Sequence, residues 1–417
     1  MIKLKLLGLG IIFCCSFFAS ANIWAESTHE LQKQMKALQK TVEELKIIIQ
    51  KQNERIDQLT GEKQKTKVKI ETITPSGNKE ETRSLGMWKY PVSSPAAKML
   101  PDISLIGVFS GAYFQNDPAE SGHDPHRTGF NLQEIEVGIQ SIIDPYVRGD
   151  IFLSFHEDGV ELEEGYITTL AGLPKGLQIR AGKYKVGFGR QNQKHLETWS
   201  FINNNLPDKY FFGGDGFNEL GTEVSYLLPT PFFLQAQFSF NQGTNAGNFD
   251  GTRKEDFAYT GRLSTSANIT DNLTALAGIS AAFGYNDTGL GNTTNLYGGD
   301  FLLKWKPSKD KGIEWQSEYI FRRKEVPGAF ENEGGLSSYL LGNWSPRWGA
   351  GLRAEYLGLP AETEKTFRMS PMLTFRPSEF FRLKAQYDLT KNIGDNVEHA
   401  AMLQMIFNMG PHGAHNF

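Results

Sequence analysis

The stretch Asn131–Phe155, NLQEIEVGIQSIIDPYVRGDIFLSF, indicates the fold because apolar or small residues alternate with polar ones along it. Alternation with a period of two predicts β-strands, and Asp144-Pro145 predicts a tight turn between two arms of about ten residues. Strands of soluble proteins are usually about five or six residues long. A strand of about nine to eleven residues, apolar on one side only, is typical of one that crosses a bilayer. The side predicted to be apolar comprises Ile135, Val137, Ile139, Ser141, Ile143, Val147, Gly149, Ile151, Leu153 and Phe155.

The same alternation recurs as far as residue 409, with turn residues between the runs. We count about sixteen strands, an even number as bacterial membrane barrels require. The chain is therefore predicted to be all-β, an antiparallel transmembrane barrel over residues 102–417. The predicted strands are 103–115, 131–143, 147–155, 159–170, 177–186, 219–228, 232–241, 257–269, 273–285, 295–306, 313–323, 336–344, 348–358, 366–376, 380–390 and 398–409.

Short connections such as PTP and TDN alternate with longer ones, which are 116–129, 188–218, 242–256, 286–294, 324–335 and 391–397. This asymmetry is typical of short periplasmic turns and longer outer loops. Aromatic residues such as Trp305, Trp315, Trp344 and Trp348 gather near strand ends, as in the interfacial girdles of membrane barrels. A soluble sandwich or propeller is the alternative, but no blade repeat is visible.

Residues 1–25 resemble a secretory signal peptide. Lys3 and Lys5 precede an apolar run over 6–18, and small residues that suit cleavage follow it. The chain's two cysteines, Cys14 and Cys15, lie inside this run, so the mature chain would contain none. That composition suits an oxidising compartment. The formal net charge of −4 over 417 residues gives no indication of nucleic-acid binding.

Residues 26–60 change to a seven-residue apolar period, which predicts an α-helical coiled coil. A lone amphipathic helix is the alternative, although its apolar stripe would be wider. The coiled coil is expected to join identical chains, three of them because of the barrel that follows. Residues 61–101 are polar and proline-containing and are predicted to be a linker. The predicted seam is Leu31, Met35, Leu38, Val42, Leu45, Ile49, Ile56 and Leu59.

Charged residues occupy the polar side of the predicted strands and would face water inside the barrel, because charges in lipid are costly. A lumen lined by both signs of charge predicts a pore, although any single residue could instead brace the wall in an ion pair. The two signs are nearly balanced, so the sequence leaves the selectivity open. The candidates are Arg148, Arg180, Arg262, Lys304, Arg322, Arg353, Arg368, Arg382, Lys384, Glu134, Glu136, Asp150, Glu219, Glu223, Glu314, Glu318, Glu355 and Asp388.

The longest mid-chain connection, 187–218, carries three further cations, Arg190, Lys194 and Lys209. If this segment folds inward, it narrows the pore and these side chains are the best candidates for contacting an anionic solute. The alternative is that the segment stays outside as a cap, since long loops are either functional or mobile.

The stretch Leu177–Asn192, LQIRAGKYKVGFGRQN, resembles the strand before the constriction loop in the phosphate-selective (O/P-type) porin family of Gram-negative outer membranes. A looser similarity extends over residues 103–417. The resemblance implies a sixteen-stranded, homotrimeric diffusion pore embedded in outer-membrane lipid, with one loop folded into the lumen and the coiled coil in the periplasm. Its solutes would be small and hydrophilic, with anions such as phosphate among them.

Histidines form two weak candidate metal sites, His123 with His126 and His412 with His415. No cysteine or acidic cluster near them in the sequence completes either set, so solvated loop histidines are favoured and no cofactor is predicted. No G-x-S-x-G or H-E-x-x-H motif is present, and we predict no enzyme. The alternatives to a diffusion pore are an outer-membrane receptor, adhesin or zinc-related uptake protein that acts through its outer loops, and a lipase-like barrel.

Overall fold

A computed structural model describes residues 101–119, 121–245, 247–250, 253–360, 365–392, 394 and 396–410. The predicted signal peptide, coiled coil and seam lie outside the described residues, as do His412 and His415. The described part is a closed barrel of sixteen antiparallel strands in sequence order, with the first paired to the last. The predicted all-β barrel and its strand number are therefore confirmed.

The strands begin and end within a few residues of the predicted positions at most places. The connection between β5 and β6 contains a 3-10 turn, Leu196–Thr198, and one helix, α1 (Leu206–Phe212). No described helix has both the length and the apolar character to cross a bilayer. The strands are β1 (Asp102–Phe114), β2 (Gly129–Asp144), β3 (Val147–Phe155), β4 (Val160–Thr169), β5 (Leu177–Lys185), β6 (Asn218–Leu227), β7 (Phe233–Asn241), β8 (Ala258–Thr270), β9 (Leu273–Tyr285), β10 (Thr293–Ser308), β11 (Lys311–Val326), β12 (Ala329–Asn343), β13 (Trp348–Leu357), β14 (Thr366–Ser378), β15 (Phe381–Asn392) and β16 (Val397–Met409).

The two sides of each strand face different surroundings, as the alternation predicts. At the middle of β16, Leu403 is 66% exposed on the outside, whereas Gln404 is 2% exposed inside the barrel. Such alternation leaves an apolar outer band suited to hydrocarbon and a polar interior. Four exposed tryptophans lie at the short-turn ends of the strands and match one interfacial girdle. They are Trp305, Trp315, Trp344 and Trp348.

Leu403→Arg should destabilise the folded barrel by about 2–4 kcal/mol, because it places a charge near the middle of the apolar band. Val397→Arg is the matched control, on the same face but at the strand end, where the cost falls to about 0–1 kcal/mol. Urea-induced unfolding in lipid vesicles measures both. Equal effects at the two positions would contradict a membrane-facing outer surface.

The connection predicted at 324–335 is not a long loop, so that prediction was wrong. β11 and β12 continue through it and meet at a two-residue turn, where Gly328 adopts a φ of 77°. Arg322 on β11 forms an ion pair with Glu333 on β12. Because residues 324–335, KEVPGAFENEGG, mix charged residues with proline and glycines, they lack the apolar period by which strands are recognised in a sequence.

Two β-bulges increase the number of polar residues that face the lumen. In β2, Val108 pairs with Glu134 and Phe109 with Leu132, so that Gln133 is the extra residue. In β4, Phe152 pairs with Glu164 and Leu153 with Leu162, so that Glu163 is the extra residue. A bulge turns two consecutive side chains toward one face. Gln133, Glu134, Glu163 and Glu164 are accordingly all buried.

Candidate functional site

The connection between β5 and β6, residues 186–217, lies inside the barrel and is called the constriction loop below. Its backbone contacts the inward side of strands far from its own. Lys384 on β15 donates to the Trp199 carbonyl at 2.7 Å, and Gly189 N donates to Ser280 Oγ on β9 at 3.1 Å. The sequence allowed this segment to fold inward or to stay outside as a cap, and the structure has it folded inward.

An apolar cluster holds the two adjacent ends of the constriction loop. Phe188, Phe211, Phe212 and Phe217 pack with Phe249 and with two inward apolar residues of the wall, Leu296 and Ile320. The Phe188 ring occupies space left by Gly298, where a Cβ atom would lie 2.8 Å from the ring. Sequence reasoning missed this cluster. The sequence does contain a sign of it, because Leu296 and Ile320 are apolar at strand positions where the alternation predicts polar residues.

Four predicted pore cations instead hold the constriction loop in place. They project from β13, β14 and β15 and donate to consecutive stretches of the loop backbone, so their charge is directed at carbonyl oxygens. Hydrogen bonds to charged groups contribute about 1.5–3 kcal/mol each. The bonds run from Arg382 to the Glu197 carbonyl, from Lys384 to Trp199 (2.7 Å) and Phe201 (3.3 Å), from Arg353 to Asn203 (3.0 Å), and from Arg368 to Asn204 (2.7 Å).

Acidic and amide side chains of the wall accept from the backbone N–H groups of the constriction loop. Glu318 on β11 accepts hydrogen bonds from Arg190 N and Gln191 N, both at 3.1 Å. Glu355 accepts a hydrogen bond from Leu206 N at 2.8 Å and also forms ion pairs with Arg353 and Arg368. Each group therefore satisfies backbone atoms that would otherwise be buried without a partner.

Most other candidate cations are paired with carboxylates. These pairs favour the bracing alternative for the residues involved, and they leave the cations less available to a solute. Glu134 and Glu136 lie on the β2 wall, where they contact histidines described below. The pairs are Arg148–Asp150 (2.9 Å), Arg180–Glu223 (3.1 Å), Lys209–Asp124 (3.0 Å), Arg262–Asp300 (2.6 Å), Lys304–Glu314 (3.3 Å) and Arg322–Glu333.

Arg190 and Lys194 differ from these cations, since neither has a carboxylate within ion-pair distance in the described part of the chain. Lys194 Nζ donates to Gln316 Oε1 at 3.3 Å and lies 5.8 Å from the centre of the Tyr339 ring. Burial lowers the pKa of Lys194 to about 8, against the opposing charge of Glu314. These two side chains carry the least compensated positive charge on the constriction loop.

A small polar cavity lies between the constriction loop and the β11–β13 wall, beside the direct hydrogen bonds that join them. Its volume is about 10 Å³, which is room for about one water molecule. Amide, hydroxyl and charged groups dominate its lining, which suits a hydrated solute rather than an apolar one. The lining residues are Gln191, Ser200, Phe201, Asn203, Asn205, Gln316, Glu318, Ser337, Tyr339 and Arg353.

Two histidines lie among carboxylates beside β2 and β4. His195 of the constriction loop contacts Glu136 and Glu164, and His123 lies 3.4 Å from Glu134. His126, the predicted partner of His123, does not belong to this group of described residues. Its backbone N–H donates to Asn131 Oδ1. The sequence missed Glu163 and Glu164 because a bulge disturbs the parity there.

Burial raises the pKa of Asp208 in α1 well above its ordinary value, and the Glu318 carboxylate raises it further. Glu355 acts in the same direction, and Lys194 opposes it. Because the pKa is higher in the docked loop than in an unfolded chain, docking should be strongest at acid pH. It should weaken as pH rises through the raised pKa.

Asp208→Asn should therefore flatten the pH dependence of unfolding and stabilise the barrel at neutral pH by about 1 kcal/mol. Urea unfolding across a pH series measures this. Asp310→Asn, in an exposed turn, is the control. An unchanged pH profile for Asp208→Asn would show that this carboxyl does not limit docking.

The model of the family described as beta-barrel porin-2, OmpL-like, matches residues 156–394. A protein of Aquifex aeolicus (strain VF5), described as uncharacterized, is 29% identical, and the match covers 79% of this chain and 82% of that protein.

Solved structures with similar folds include an anion-selective porin from Comamonas acidovorans, with a TM-score of 0.53 and 11% identity. The match covers 74% of this chain and 100% of that one. The outer membrane channel DcaP of Acinetobacter baumannii has a TM-score of 0.52 and 12% identity over 76% of this chain and 99% of its own. At these identities the likeness extends to the fold alone.

Proposed function

Because the chain belongs to the OmpL-like beta-barrel porin-2 family and is a porin-like outer-membrane β-barrel, we propose that it allows passive diffusion of small hydrophilic solutes. The solutes pass between the constriction loop and the β11–β13 wall, and anions are favoured. The polar lining of the wall and the loop at this place supports the path. The family and the porin and channel neighbours are described as channels, not as enzymes.

The preference for anions is supported chiefly by the uneven pairing of charges beside the cavity. Glu318 accepts two backbone N–H groups, and Arg353 donates to Asn203. Arg190 and Lys194 keep positive charge without a carboxylate partner among the described residues. Phosphate is the anion to test first, since Leu177–Asn192 resembles the corresponding strand of phosphate-selective porins.

The Arg190→Gln/Lys194→Gln variant should lose much of its preference for anions. The reason is that both changes remove positive charge from the constriction loop beside the proposed path. Reversal potentials of single channels in a salt gradient measure this, and we expect the anion-to-cation permeability ratio to fall by about three-fold or more.

The control is Lys309→Gln/Lys311→Gln, which removes equal charge from an exposed turn. Equal shifts in the two double variants would locate the selectivity elsewhere. Stepwise conductance by the unaltered protein supports a pore. Tight solute binding with no conductance would instead favour a receptor that acts through its outer loops.

We also propose that the chain forms homotrimers, joined in the periplasm by the coiled coil predicted at 26–60. One structure with the same fold, OmpT of Vibrio cholerae, is described as a trimer form. Chemical cross-linking in mild detergent should give a three-chain product. Polar substitutions at the seam positions Leu38 and Leu45 should weaken the product, and a monomer in the unaltered protein would end the proposal.

A further inference from the structure

The acidic cluster beside β2 and β4 contains more negative charge than its neighbours offset. Glu134 and Glu136 project from β2, and Glu163 and Glu164 project from β4 because of the bulge there. Lys185 offsets part of this charge through a contact of 2.9 Å between its Nζ and Glu163 Oε1. Buried carboxylates of this number require protons or a cation to balance them.

The His195 ring is placed between the carboxylates with a different partner for each nitrogen. Its Nδ1 lies 2.7 Å from Glu136 Oε2 and 3.3 Å from Glu163 Oε2. Its Nε2 lies 2.8 Å from Glu164 Oε2. An imidazole held on one nitrogen by a carboxylate is the usual arrangement of a metal-binding histidine, because that contact sets the tautomer and the orientation of the ring.

A second observation points to a ligand at the same place. Glu136 is 1% exposed, yet its Oε1 atom has no hydrogen-bond partner among the described residues. Donor atoms of Glu136, His195 and Glu197 lie within 4.8 Å of one another, and so do those of Glu134, Glu136 and Glu163. Glu136 belongs to both groups, so its carboxylate is the common point of the cluster. Because Glu136 Oε1 is buried and has no hydrogen-bond partner among the described residues, it is available to coordinate a metal ion.

We propose that His195 Nδ1 and the carboxylates of Glu136 and Glu163 bind a divalent transition-metal ion of the zinc class. Imidazole together with carboxylate oxygens suits such an ion better than calcium or magnesium, which take oxygen ligands alone. The metal ion replaces the proton on Nδ1, and that proton passes to solvent, while Nε2–H remains donated to Glu164. Glu134 and Glu197 lie close enough to complete the coordination.

The site joins the constriction loop to β2 and β4, which the anchors Arg353, Arg368 and Lys384 do not do. The anchors Arg353, Arg368 and Lys384 project from β13–β15, whereas Glu136 and Glu163 lie on β2 and β4. A metal ion bound by His195 and these carboxylates therefore restrains the loop from a second direction. Bound metal should reduce fluctuations of the loop and hence of the single-channel current.

Titration of the full-length mature protein with Co²⁺ and Zn²⁺ in detergent tests the proposal. The starting protein carries no affinity tag and has His412→Gln and His415→Gln, so that tail histidines cannot bind metal. We expect one equivalent of Co²⁺ to give a visible absorption band that one equivalent of Zn²⁺ abolishes. Absence of stoichiometric binding in this protein would overturn the proposal without any further variant.

Three variants locate the site if binding occurs. Glu136→Gln and His195→Gln should each weaken Co²⁺ binding at least ten-fold. Glu164→Gln, which alters the group that accepts from Nε2 and also from Lys185 N, should weaken it about 10- to 100-fold. His399→Gln on β16 is the matched control and should bind as before. Heat-modifiable migration on gels confirms that each barrel is folded. Unchanged binding in both Glu136→Gln and His195→Gln would show an adventitious ion only.

Discussion

Replacing residues 188–216 by a short glycine–serine turn will raise the single-channel conductance about three- to ten-fold, because a sixteen-strand barrel without an inward loop leaves a wide aqueous lumen. The replacement is feasible, since Val186 N donates to the Phe217 carbonyl at 2.8 Å and the two ends of the constriction loop are adjacent. Planar bilayer recording measures the conductance.

The same shortening applied to residues 287–291, between β9 and β10, is the control for the loss of a connection. That connection closes a hairpin, and its removal should leave the conductance nearly unchanged. If the first variant folds, as judged by heat-modifiable migration, and still conducts like the unaltered protein, then the current does not pass the constriction loop.

Gly189→Ala will release the constriction loop near its beginning, at a cost of about 4–8 kcal/mol. Gly189 has a φ of 63°, which disfavours any residue with a side chain. An added Cβ atom would also lie 1.7 Å from Glu318 Oε1. The Glu318 carboxylate would have to leave Arg190 N and Gln191 N, so two charge-assisted hydrogen bonds would be lost as well.

Gly213→Ala separates these two causes, because Gly213 also has a positive φ, 79°, while its Cβ position is open. It should cost only the conformational part, about 1–3 kcal/mol, since its ψ is −172°. In a Glu318→Ala background, Gly189→Ala should add about the same small cost. Urea unfolding and limited proteolysis of the loop measure these differences. Equal effects of the two glycine variants in the unaltered background would show that Glu318 does not anchor the loop.

The charged residues illustrate how far sequence reasoning reached the candidate site. Parity placed Arg353, Arg368 and Lys384 inside the barrel, as the structure has them. It did not indicate that these cations would donate hydrogen bonds to the backbone of the constriction loop. Every residue has a backbone carbonyl, so a sequence does not show which carbonyls will accept such bonds. The role of Arg190 and Lys194 toward solutes stays a prediction, as does the coiled coil.

The local pattern by itself determined the barrel. An alternation of period two over strands of nine or more residues has one stable solution in a bilayer, since every backbone group must be paired and edges must close. The position of residues 186–217 and the gathering of Glu136, Glu163 and His195 were decided by tertiary structure alone. They depend on contacts between residues far apart in the chain and on bulges that reverse parity, neither of which a period can encode.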